Sequence, residues 1–147
     1  MKTWSQLVAS GSYFENARQT PDFSQLLILM LTMNFSQLKV LLKVGNVGDV
    51  GNVEMQDLLF TTHGATAGLI LVEWNIAAAS AGSAGLWDCH ARIGGATGTQ
   101  LTPAECPPVT SGIDQGCSAA SLMMYIIPSA SGYFENMWLW GADHMLE

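Results

Sequence analysis

From Val40 onward, apolar and polar residues alternate in short runs with no sustained helical period. The runs Val40–Val44, Val53–Thr62, Leu69–Ile76, Leu86–Ile93, Ser121–Ile127 and Tyr133–Trp140 are rich in β-branched and aromatic residues and predict strands. Glycine-rich joints at Gly45–Gly51, Ser80–Gly85 and Gly94–Thr99 separate them. Two runs share a scheme. In Val53-Glu-Met-Gln-Asp-Leu-Leu-Phe60 and Tyr133-Phe-Glu-Asn-Met-Trp-Leu139, an apolar residue precedes Gln or Glu, then Asp57 or Asn136, then apolar, any, apolar. An Asp or Asn side chain at a bend satisfies nearby backbone groups, so the scheme reads as strand-bend-strand. Leu86–Ile93 fits the scheme less well, with His90 taken at the polar position and Asp88 where an apolar residue is wanted.

A second strand type, Gly68–Trp74 and Ala120–Tyr125, alternates with the first. Such repetition predicts an all-β fold, a right-handed parallel β-helix with loop insertions, incomplete at its ends. Sandwich and jelly roll are the rivals, but no Asn-Gly or Asp-Gly hairpin turn joins two runs. The expected organisation is an irregular N-terminal segment, 1–40, and a partial β-helix domain, 41–147.

Composition narrows the function classes. The chain has 147 residues, 49% hydrophobic and only 12% charged, enough for one domain with its own core. A formal net charge of −7, with no Lys/Arg cluster, argues against nucleic acid and against an anionic membrane surface. Leu26–Met33 is too short to span a bilayer and lies behind Glu15 and Asp22; the N-terminus lacks the apolar run of a signal peptide. Cys89, Cys106 and Cys117 form no Cys-x-x-Cys pair, so neither a metal nor another cofactor is expected. Cys106 and Cys117 flank a Pro/Ser/Gly-rich loop and are a candidate disulfide, which leaves Cys89 a buried thiol or the partner of a cysteine elsewhere.

Trp138 and Trp140 share one strand face, as a sugar-stacking surface or as core. Asp143 and His144 follow, as a carboxylate–imidazole pair or as a strand-end cap. These four are the candidate substrate-binding residues. Asp88, His90 and Arg92 form a charged stripe at period two, which pins a loop or lines a cleft. Glu73 is expected in a ladder or turn role.

Several strings together resemble glycoside hydrolase family 55, the fungal exo-β-1,3-glucanases. They are Val44–Asp57, Val72-Glu-Trp-Asn75, Leu86–Gly95 and the Trp-x-Trp-x-Ala-Asp-His of Trp138–His144, in order from about Leu41 to His144. The resemblance implies a piece of the second β-helix of a secreted hydrolase that cleaves β-1,3-glucan from the non-reducing end with inversion. It implies laminarin-like polysaccharide and the missing coils of a longer parent chain as partners, and an extracellular location. Inversion needs two groups about 6.5–9.5 Å apart. No catalytic residue of the family falls within this chain, so the piece is expected to be inactive alone; the alternative is a non-catalytic module for glucan binding or domain packing. Gly141 and Met145 depart from the family pattern, and residues 21–37 have no place in it, as a retained intron or faulty gene model would produce.

Overall fold

The structure is a computed structural model that describes residues 5–9 (backbone), 40–108, 112 and 114–141. Its strands are β1 (Ser5–Ala9), β2 (Val40–Val44), β3 (Val50–Gly51), β4 (Val53–Gln56), β5 (Leu58–Thr62) and β6 (Ile70–Trp74). They continue as β7 (Ala77–Ala78), β8 (Ala84–Trp87), β9 (His90–Ile93), β10 (Leu122–Ile126), β11 (Tyr133–Glu135) and β12 (Trp138–Gly141). One 3-10 turn, Gln115–Cys117, is capped by the Asp114 carboxylate, which accepts from the Gly116 N–H at 2.8 Å.

The strands form four sheets: A (β1-β5-β9-β12), B (β2-β6-β10), C (β3-β7) and D (β4-β8-β11). Every strand pairing among the described residues is parallel. The chain visits B, C, D and A with β2 to β5, repeats that order with β6 to β9, and returns to B, D and A with β10 to β12. The antiparallel pairing that a sandwich or jelly roll requires is absent from the described residues.

The side-chain pattern explains the registers. Met55, Leu86 and Phe134 stack in neighbouring strands, as do Phe60, Ala91 and Leu139. Phe60, Leu86, Ala91, Leu71 and Trp74 are fully buried, or nearly so, and Phe134 packs edge-on against Trp74 at 5.2 Å between ring centroids. The alternate positions, Gln56–Trp87–Glu135 and Leu59–His90–Trp138, form the outer columns of sheets D and A. Period two thus sets inside from outside in each sheet.

Three of the runs are each divided by one residue in the left-handed region: Asp57 (φ 56°) and Asn136 (φ 51°), where the shared scheme placed a bend, and Asp88 (φ 51°), where it did not. Asp and Asn tolerate this conformation better than other side chains bearing a Cβ, so each bend fits where it stands. The three bends stack: Asp57 N–H donates to the Trp87 carbonyl and Asp88 N–H to the Glu135 carbonyl, both at 3.1 Å. The Asn136 amide donates to the Asp88 carboxylate. Asp88 is therefore the bend residue of its turn and Trp87 takes the preceding polar position, which corrects the alignment that placed His90 there. It also breaks the expected stripe: His90 and Arg92 share a face of β9, but Asp88 lies in the bend.

Two short strands, β3 and β7, lie within or beside the glycine-rich joints and were not expected. Ser5–Ala9, outside the strand rhythm of the sequence, runs parallel to β5 as the edge of sheet A. Residues 21–37 lie outside the described residues. Among the described residues, the segment between β9 and β10 makes a long excursion, tied back to the β5–β6 turn by Gly64 N–H to Thr99 O (2.7 Å) and Thr66 N–H to Ser118 O (2.9 Å). Within it, a disulfide joins Cys106 and Cys117 across a separation of 11 residues. Leu101, in the same segment, is buried.

Candidate functional site

The outer face of sheet A carries the richest side-chain chemistry. Period two places Trp138 beside His90 and Trp140 beside Arg92, with Leu139 on the opposite face over Ala91. Trp138 is 61% exposed, and its ring lies 5.2 Å from the His90 ring. The Trp138 backbone N–H donates to His90 Nδ1 at 3.3 Å. The Arg92 guanidinium sits 4.5 Å from the centroid of the Trp140 ring, a cation–π contact, while its Nε donates to the Gly94 carbonyl at 3.2 Å. Arg92 thereby holds the first residues of the long excursion next to the aromatic face.

Trp138 and Trp140 are thus brought together on the outer side. Asp143 and His144 lie outside the described residues. Cys89 is fully buried, and burial pushes its thiol above the ordinary range, helped by the nearby Asp57 and Asp88 charges against the lowering effect of hydrogen bonds with Leu58 and Trp87. Glu73 accepts from the Asn75 side chain at 2.7 Å, and Asn75 also donates to the Gly45 carbonyl at 3.2 Å. The Glu73–Asn75 bond is local to the end of β6, in keeping with a ladder or turn role. No cluster of three or more His, Cys, Asp or Glu suited to a metal occurs among the described residues. No helix among them is long and apolar enough to cross a membrane.

A neighbouring set was not singled out in the sequence. On the outer face of sheet D, Trp87 stands beside Glu135, and the Trp87 and Tyr133 rings are 6.0 Å apart. The Tyr133 hydroxyl donates to Glu135 Oε2 at 2.8 Å, which raises the tyrosine above its ordinary pKa, with the carboxylate charge adding to the effect. The signal lay in the alternation before each bend residue, once Asp88 is aligned with Asp57 and Asn136.

Chemically, the described face offers aromatic surface, hydrogen-bond acceptors and one guanidinium. It is suited to holding a ligand. Fold and face define an all-β, parallel-sheet protein with an exposed aromatic side.

No protein-family model matches the chain. A "Probable glucan endo-1,3-beta-glucosidase" of Arthroderma benhamiae is 48% identical over 110 residues, 73% of this chain and 12% of the relative. A "Glucan 1,3-beta-glucosidase" of Cochliobolus carbonum is 41% identical over 108 residues, 73% of this chain and 14% of the relative. A "Non-secreted LysM effector LysM15" of Penicillium expansum is 43% identical over 146 residues, 99% of this chain and 9% of the relative. The chain is therefore related to proteins named as 1,3-β-glucosidases. It spans between 9% and 16% of the length of the curated relatives it matches.

Proposed function

We propose that this chain is a segment of a secreted β-1,3-glucan hydrolase of glycoside hydrolase family 55, folded as successive coils of a right-handed parallel β-helix. In this reading the parent enzyme cleaves from the chain end with inversion, and this segment contributes glucan contacts but no catalytic pair. The observation that carries it is the outward pairing of Trp138 with His90 and Trp140 with Arg92. Pyranose rings present an apolar C–H face that packs on such rings, while their hydroxyls meet polar neighbours. The names and identities of the glucosidase relatives support the substrate class. The ordered return of the chain to sheets B, D and A supports the coil. Leu122, Ile126 and Leu139 are 45%, 43% and 52% exposed in the last turn, which supports packing against a further layer of protein.

The test is incubation of the folded chain with laminarin. The reading predicts retention of the polysaccharide in affinity electrophoresis and no release of reducing sugar. Release by the purified chain would overturn the inactive-segment reading; absence of binding would overturn the glucan-contact reading.

A second reading is a non-catalytic module for glucan binding or domain packing, independent of any hydrolase. The similarity to the protein named a LysM effector, across 99% of this chain, favours it. Complementation with the remainder of a glucosidase relative separates the two, because only the hydrolase-segment reading predicts restored cleavage.

A further inference from the structure

We infer that the outer face of sheet D is a second saccharide platform, centred on Trp87 and separate from the Trp138–Trp140 face. The geometry begins at Gly85, the middle rung between Glu54 on β4 and Tyr133 on β11. A Cβ added at Gly85 would stand 3.0 Å from the far carbon of the Trp87 indole, so the ring reaches over the glycine where a side chain would otherwise stand. The missing side chain lets the indole lie along the strand. Its outer side is framed by residues of the two flanking turns: Glu54 and Gln56 on β4, Tyr133 and Glu135 on β11. Tyr133 is 48% exposed, and its hydroxyl is already oriented by Glu135.

A ligand for this face needs a flat apolar side to lie on the indole and hydroxyl donors at its rim to meet Glu54, Gln56 and Glu135. The five side chains named here include no cation, so an anionic ligand is disfavoured and a neutral polyol fits. A β-linked pyranose meets both demands, with its axial C–H groups on the ring and its equatorial hydroxyls outward. The choice of β-1,3-glucan among pyranose polymers rests on the function proposed above; the platform itself does not.

The experiment is affinity electrophoresis of the full chain and its Trp87→Ala, Glu135→Gln, Trp87→Phe and Trp138→Ala variants in gels containing laminarin, with mannan and cellulose derivatives in parallel. Circular dichroism confirms that each variant is folded. Trp87→Ala is expected to weaken laminarin retention about fivefold, within the range of a lost aromatic stacking contact. Glu135→Gln should weaken it less, and Trp87→Phe should recover much of the loss. Laminarin binding that is lost in Trp138→Ala but unchanged in Trp87→Ala and Glu135→Gln would overturn the platform and leave the proposed function standing. Trp87-dependent retention by mannan or cellulose, with none by laminarin, would overturn the β-1,3-glucan reading and support the platform. Failure of the wild type to bind any of the polymers would overturn the platform.

Discussion

Gly85→Ala is a demanding test of the stacked-strand account, because the consequence follows from backbone atoms. A Cβ at this position would stand 2.3 Å from the Tyr133 carbonyl oxygen and 3.0 Å from the Trp87 ring. Ordinary carbon–oxygen contacts are about 3.3 Å, so roughly 1 Å of overlap must be relieved. The carbonyl belongs to the neighbouring strand and has no rotamer to adopt, so β11 must recede from β8. Overpacking of this kind costs about 1–3 kcal/mol, and each weakened ladder bond adds about 1 kcal/mol. The loss of unfolded-chain freedom on replacing glycine returns about 0.4–1 kcal/mol. The net expectation is a loss of about 2–3 kcal/mol, or a fall in Tm of about 4–10 °C for a domain of this size. Gly51→Ala is the matched control: its Cβ would meet only the flexible tip of Ile76, at 3.2 Å, and stability should change by less than about 0.5 kcal/mol. Urea unfolding followed by tryptophan fluorescence measures both. Equal stability of the two variants would refute the close parallel approach of β8 and β11.

Asn136→Ala removes both the amide bond to Asp88 and the side chain that tolerates a left-handed bend, so it should cost about 1–3 kcal/mol, with Asn136→Gly recovering part of the loss in the same assay. Cys89 should resist a thiol reagent in the native chain up to pH 9 and react on unfolding. Because its folded pKa is raised, the stability linked to its neutral form is present below the ordinary thiol pKa and is lost as pH rises through the folded value; rapid native labelling would contradict its burial. Glu105 is held below the ordinary glutamate pKa by the Thr102 hydroxyl and then its backbone N–H. The linked contribution is therefore present above the ordinary value and is lost as pH falls through the lowered one, as an NMR titration of the Glu105 carboxyl would show. The isolated chain should oligomerise in size-exclusion chromatography, because its last turn exposes Leu122, Ile126 and Leu139; a monodisperse monomer with a cooperative melt would contradict that.

Much of the strand layout was legible because burial imposes period two on short runs. Val40–Val44 is β2 in full, and the expected alternation of two strand types is the alternation of sheet B with sheets D and A. What the sequence obscured has a local cause. The bend at Asp88 is a single residue between two strands, and its neighbour Trp87 has none of the polarity of Gln56 or Glu135, so the repeat scheme slipped at that turn. The two-residue strands β3 and β7 are too short to show any period. The outward direction of Trp138 and Trp140 was undecided because alternation alone gives two faces without saying which is inside; the stack of Leu139 on Ala91 and Phe60 decides it. The Trp87 platform was hidden because a glycine's missing side chain acts only on a neighbouring strand, 48 residues away at Tyr133.

The central claim is that the outer aromatic face meets β-1,3-glucan, and isothermal titration of the folded chain with laminarin oligosaccharides tests it most directly. The account predicts saturable binding, weakened about tenfold or more when Trp138 and Trp140 are both replaced by Ala. A folded wild-type chain that gives no binding heat at any oligosaccharide length and no laminarin retention, or a double variant that binds as well as the wild type, would contradict it.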